Sequence, residues 1–134
     1  MQFMQLRGLT SLPIELIDRQ FSSEDVRAVL PARLAPRATQ SLLVATASAL
    51  AIVVPSRSPA MRWKVHWAPL ENVRLSDGTD PWTEAFDGEY QLFVDVGRVR
   101  FESNLVGETG RKVLRDFVAA VWTRPVRAMA ATIA

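Results

Sequence analysis

A chain of 134 residues, 49% of them hydrophobic and 22% charged, suits one ordinary hydrophobic core; it is too apolar for a disordered chain and needs no second domain. The absence of cysteine excludes disulfides, thiolate nucleophiles, zinc ribbons and iron–sulfur clusters together. Fourteen of the sixteen basic residues are arginine, which raises the pI to about 9.7 while the net charge at pH 7 is only +2, so the pI overstates basicity at neutral pH.

The opening MQFMQLRGLT has no apolar run leading to a small-residue cleavage site, so it does not read as a secretory signal and a cytoplasmic location is expected. Residues 1–21 read as an N-terminal arm with a short strand or helix, interrupted at Pro13. In FSSEDVRAVLP, Ser22 is a helix cap with Asp25 three residues on, and Phe21 pairs with Val26 across it; this predicts a helix from about Ser23 to Leu30. Pro31 and Pro36 then end the helix and open an extended segment.

Residues 41–55, SLLVATASALAIVVP, carry no charge. A membrane-spanning helix needs about 20 apolar residues, and extending this run draws in Gln40 at one end and meets Pro55 at the other. A hairpin is expected instead, with Leu42, Leu43 and Val44 in one strand, Leu50, Ile52, Val53 and Val54 in the other, and Ala47 and Ser48 at the turn; a buried helix and a membrane span are the alternatives. After the loop signal PSRSP, MRWKVHW alternates, placing Trp63, Val65 and Trp67 on an inner face and Arg62, Lys64 and His66 on an outer one. PLENVRL follows Pro69 as a further extended piece anchored by Leu70, Val73 and Leu75.

Charge is unevenly distributed. Residues 75–95 hold Asp77, Asp80, Glu84, Asp87, Glu89 and Asp95 and no basic residue, whereas residues 96–134 hold seven basic and three acidic. The turn-rich SDGTDPWTEAFDGE is expected to be a surface loop. YQLFVDVGRVRFES reads as a hairpin turning at Val96 and Gly97, with Leu92, Val94, Val99 and Phe101 inward and Arg98, Arg100 and Glu102 outward. Val113, Leu114, Phe117, Val118, Val121 and Trp122 then recur at helical spacing, predicting a helix capped by Thr109 that ends before Pro125.

Four of these pieces carry a resemblance. VATASALAIVV as a first hairpin, WAPLENVRL as a proline-leucine strand entry, GRVRFES as a late strand and GRKVLRDFVAAVW as a closing helix together resemble the bacterial pleckstrin-homology-like (PH-like) domain family, over roughly residues 22–122. The resemblance implies an α+β fold: a strongly bent, seven-stranded antiparallel sheet, a partly open barrel closed by the C-terminal amphipathic helix. It implies a binding module rather than an enzyme, with residues 123–134 as a tail. Phosphoinositide-binding members of the wider superfamily carry basic residues at the first hairpin loop, and none lies here between Arg37 and Arg57, so headgroup binding by that route is not expected.

Few chemistry-bearing constellations remain. His66 is the lone histidine, without a second imidazole for a metal, and the spacing of Asp77, Asp80, Glu84 and Asp87 does not follow a calcium loop. No cofactor is expected. GETG at residues 107–110 lacks the Gly-Lys-Ser/Thr of a phosphate loop. The alternation of MRWKVHW separates its tryptophans from its cations, so nucleic acid is not an expected partner. Trp82 and Phe86 inside the acidic loop, rimmed by Asp80 and Glu84, instead suggest an anchor for a protein partner or for a second copy of the chain. The alternative is weak contact with an anionic ligand or membrane through Arg62, Lys64, Arg74, Arg98, Arg100, Arg111 and Lys112.

Overall fold

Apolar runs without alternation mark strands that are buried on both faces, and three such strands form the centre of this molecule. The computed structural model describes residue 6 and residues 15–21, 25–35, 39–56, 62–76 and 78–133, with side chains described as far as Trp122 except at positions 16 and 18. Helix α1 (Glu15–Gln20) is followed by strands β1 (Val26–Leu34), β2 (Thr39–Thr46), β3 (Ala49–Pro55) and β4 (Trp63–Pro69). A 3₁₀ turn (Leu70–Asn72) leads into β5 (Val73–Ser76), and β6 (Glu89–Val96), β7 (Val99–Val106) and helix α2 (Gly107–Ile133) complete the order. The strands form one antiparallel sheet in the order β4-β3-β2-β1-β7-β6-β5.

The uncharged hairpin forms as expected, with Leu42 opposite Val53 and Ala45 opposite Leu50. Its turn is fixed by Thr46, whose Oγ1 donates to the Ala49 carbonyl at 2.9 Å and accepts the Ala49 N–H at 3.1 Å. Among the described residues, no helix is long and apolar enough to cross a membrane.

The helix expected over Ser23–Leu30 is not there. Residues 22–24 lie outside the described residues, and β1 starts at Val26 with Ala28 to Ala32 buried in succession. A helix at that position would bury one stripe, whereas Ala28 to Ala32 are apolar in succession and the strand sits between β2 and β7. Tertiary pairing therefore outweighs the local cap signal. Pro31 is tolerated inside β1 because the β1–β7 ladder is confined to Arg33 and Leu34, and Ser103 bridges the gap with a 2.8 Å hydrogen bond from its hydroxyl to the Pro31 carbonyl.

Cross-strand partners share a face, so the register defines two sides. On one side lie Leu30, Leu43, Ile52, Phe101, Val94, Leu92, Leu105 and Tyr90. Helix α2 contacts β1, β7, β6 and β2, and its Val113, Leu114, Phe117, Val118 and Val121 are buried; it packs on this side, because the other face of β6 and β7 carries the accessible Gln91, Asp95, Arg100 and Asn104. On the opposite side of the sheet Val29, Leu42, Val44, Ala51 and Val53 are also buried. On that side the Phe21 ring meets Trp67 edge-on at 5.7 Å, and Leu6, Ile17 and Phe21 are buried in the same core cluster. Each such burial is worth about 1.5–3 kcal/mol.

Several boundaries differ from expectation. Trp63, Val65 and Trp67 do alternate with Lys64 and His66, but Trp67 is half exposed rather than buried in the core. Strand β4 is an edge, and the tryptophan side is the one under the arm, not the one under α2. Val99 lies on the core face at the hairpin tip, past the last packed layer, and is exposed; Gly97, at φ 61°, makes the turn. Gly107, at φ 72°, turns β7 into α2, so Thr109 falls inside the first helical turn rather than capping it. The helix does not stop before Pro125 but runs to Ile133. Proline removes one hydrogen bond and strains the preceding turn, while the alanine- and methionine-rich AMAAT that follows favours continued helix.

Candidate binding groove

The acidic loop, residues 78–88, is tied down at nearly every step. The Thr79 N–H donates to the Gln91 carbonyl at 2.8 Å, and Thr79 Oγ1 accepts the Gln91 N–H at 3.2 Å, so the chain beyond β5 continues beside β6. Asp80 Oδ1 accepts the Trp82 N–H at 2.9 Å, an aspartate turn of the type this residue favours. Buried Tyr90 accepts the Ala85 N–H on its hydroxyl at 2.9 Å. Asp87 Oδ1 accepts the Glu89 N–H at 3.0 Å, and the Gly107 N–H donates to the Gly88 carbonyl at 2.9 Å, fastening the loop's end to the start of α2.

The strongest tie is Arg111, one turn into α2. Its Nε donates to the Pro81 carbonyl at 3.0 Å and its Nη2 to the Trp82 carbonyl at 2.9 Å, while Nη1 reaches the Glu108 carboxylate at 3.4 Å. This guanidinium was expected at an anion site; its donors are instead committed to the loop backbone. The fork geometry of arginine suits two neighbouring carbonyls in a way that a lysine ammonium does not.

Between this loop, β5 and α2 lies a groove of about 450 Å³. Its walls are the side chains of Leu75, Leu92, Pro81 and Val118, bounded by Trp82 and Trp122. Trp82 is 49% exposed and Trp122 52% exposed, so each indole offers a face to solvent. Among the described residues Asp80 is the one charged residue on the lining. Ser76, also on the lining, has a buried hydroxyl with no hydrogen-bond partner among the described residues. Gly78 passes so close to β6 that a Cβ there would meet Leu92 Cδ1 at 3.0 Å.

The other expected partner-binding residues divide. Phe86 is fully exposed and opens onto a different depression, about 610 Å³, shared with Val106, Leu105, Asp87 and Glu89. Glu84 is exposed and lines neither. Trp82 and Asp80 are therefore brought together, and Phe86 is on the other side of the loop. Sequence reading assigned Trp122 to the buried stripe of the helix. It is the last residue of that stripe, one turn past Val118, and it is half exposed although Val121 beside it is buried. Tyr90 was not singled out at all, although a tyrosine starting a strand beside a turn-rich loop is a natural hydrogen-bond anchor.

The basic residues do not form one stripe. Arg62 and Lys64 lie at β4 and Arg74 on β5, the two opposite edges in the strand order. Arg98 sits in the β6–β7 turn and Lys112 is exposed on α2. Arg100 forms a two-pronged pair with Asp95, at 2.7 and 3.0 Å, and lies 4.9 Å over the Phe93 ring. The hydrogen bond from Arg100 holds the Asp95 carboxyl below its usual value of 3.8, with partial burial opposing and the charge of Arg100 assisting. Among the described residues no group of three His, Asp or Glu side chains converges as a metal site. Comparison with protein-family models, with curated proteins and with solved structures gave no significant match to this chain.

Proposed function

We propose that this chain is a non-catalytic, PH-like binding module of the cytoplasm that engages a protein partner through the groove between Trp82 and Trp122. The strand order and the C-terminal helix support the PH-like reading, in which α2 closes one end of a bent sheet. The observation that carries the functional reading is the anchoring of Trp82: Arg111 and Asp80 fix its backbone while its ring stays half exposed beside an apolar groove. Ordering a large aromatic before binding lowers the entropy lost on association, and such anchors dominate interface energies. The anionic-ligand alternative has less support, because Arg111 and Arg100 are engaged within the protein and the remaining cations are spread over both sheet edges, the β6–β7 turn and α2.

The test is quantitative affinity capture with wild type, Trp82→Ala and Phe86→Ala proteins, paired with light scattering to determine whether the partner is a second copy. A protein retained by wild type and by Phe86→Ala but lost with Trp82→Ala is the expected result. Equal retention by all three, with a monomer in solution throughout, overturns the assignment.

A further inference from the structure

We infer that the groove selects a partner segment presenting an arginine or lysine side chain, whose apolar stem lies between Trp82 and Trp122 and whose charge meets Asp80. This rests on the groove being the binding site and names the chemistry that it takes.

The charge balance of the lining decides the sign. Among the described residues Asp80 is the single charged one on it, and Arg111, which donates to the Pro81 and Trp82 carbonyls, is itself paired with the Glu108 carboxylate. Asp80 uses Oδ1 to accept the Trp82 N–H, and Oδ2 is the oxygen that would accept from an incoming donor. An anionic ligand would face the Asp80 carboxylate, whereas a cationic one pairs with it. The walls fit the same class. Indole faces attract cations through the ring quadrupole, tryptophan more strongly than the other aromatics, and both indoles are half exposed at the groove. The methylene stem of arginine or lysine buries against apolar surface while its head stays polar, which matches Leu75, Leu92 and Val118 within and Asp80 on the lining. The surrounding loop extends the potential: Glu84, Asp87 and Glu89 are all exposed, and no basic residue occurs from 75 to 95. A basic segment would be steered there at low salt.

The experiment titrates the full-length protein with three acetylated, amidated pentapeptides that differ at a central position flanked by leucines: arginine, the neutral isostere norleucine, and glutamate. Binding is read by two-dimensional NMR of the tryptophan indole N–H signals. The arginine peptide is expected to bind about tenfold more tightly than the norleucine peptide and the glutamate peptide more weakly than either. The preference for arginine should shrink as salt rises and in Asp80→Asn, a substitution that keeps an oxygen acceptor for the Trp82 N–H while removing the charge. Trp82→Ala should weaken all three. If arginine and norleucine peptides bind equally at the Trp82 and Trp122 signals, the cation preference is wrong while the groove stands as a binding site. If no peptide moves those signals, both readings fall.

Discussion

Removing the Arg111 guanidinium tests whether the loop is held as the geometry describes. Arg111→Met keeps an apolar stem of similar reach and deletes the bonds to the Pro81 and Trp82 carbonyls at 3.0 and 2.9 Å. Hydrogen bonds from charged donors are worth about 1.5–3 kcal/mol. The Pro81 bond is partly buried and keeps most of that value, whereas the Trp82 carbonyl is exposed and water recovers much of its loss. The Glu108 contact adds almost nothing, since that carboxylate is 74% exposed. The expected destabilisation is therefore about 2–3 kcal/mol, a shift of about 1 M in the urea midpoint for a typical small-domain slope. Glu108→Gln should leave the midpoint within about 0.5 kcal/mol of wild type. Hydrogen exchange adds a local readout: the Trp82 and Ala85 amides, bonded to Asp80 and Tyr90, should exchange faster in Arg111→Met than amides of β2. A stability change below about 0.5 kcal/mol with unaltered exchange at Trp82 and Ala85 would refute the clamp.

Two further substitutions probe the frame around the groove. Gly110→Ala gains about 1 kcal/mol of helix propensity, but the new Cβ would lie 2.7 Å from Leu105 Cβ and 3.0 Å from its carbonyl carbon. Overpacking against backbone costs about 1–3 kcal/mol or more, so a net loss of about 1 kcal/mol is expected in urea unfolding; a stabilised variant would show that α2 does not approach β7 so closely. The Asp95–Arg100 pair sets a pH dependence. Because the folded Asp95 pKa lies below its usual 3.8, the pair's contribution is complete above that value and is lost as pH falls through the folded one. The stability gap between wild type and Asp95→Asn should hold steady above about pH 5 and narrow below about pH 4; a gap that is constant down to pH 2 would contradict the pairing.

Much of the sheet was legible because its signals are local. The uncharged hairpin, the alternation of β4, the Gly97 turn and the apolar stripe of α2 each announce themselves within a few residues. What failed depended on distant neighbours. The Ser22–Val26 signal describes a good helix start in isolation, yet the following segment is wanted by β2 along its whole length. Trp67 and Trp122 belong to correct periodic patterns, but a pattern says which face a residue takes and not how far cover on that face extends. Arg111 was legible as a cation beside the acidic loop. That its partners would be backbone carbonyls 29 and 30 residues away is set by the docking of α2, which no local spacing encodes.

The two-sided burial of β1 to β3 also narrows where a partner can bind. One face of these strands is filled with the core beneath α2, and Val29, Leu42, Val44, Ala51 and Val53 on the other are buried too, so the most apolar part of the sequence presents little surface. The outer face of β5 to β7 is polar and internally paired: Arg100 with Asp95, and Glu102 accepting from Gln91 and Asn104. A partner binding there would have to break those pairs and desolvate their charges, a loss that interfacial ion pairs only about recover. Of the large apolar side chains left exposed among the described residues, Trp67 already packs on Phe21, while Val99 sits at a hairpin tip and Phe86 and Val106 share the depression that Asp87 and Glu89 line. Trp82 and Trp122 alone are paired across an apolar groove whose backbone is already fixed. Burying both indoles there requires little reordering of the protein, and this concentrates the available binding energy at that one site.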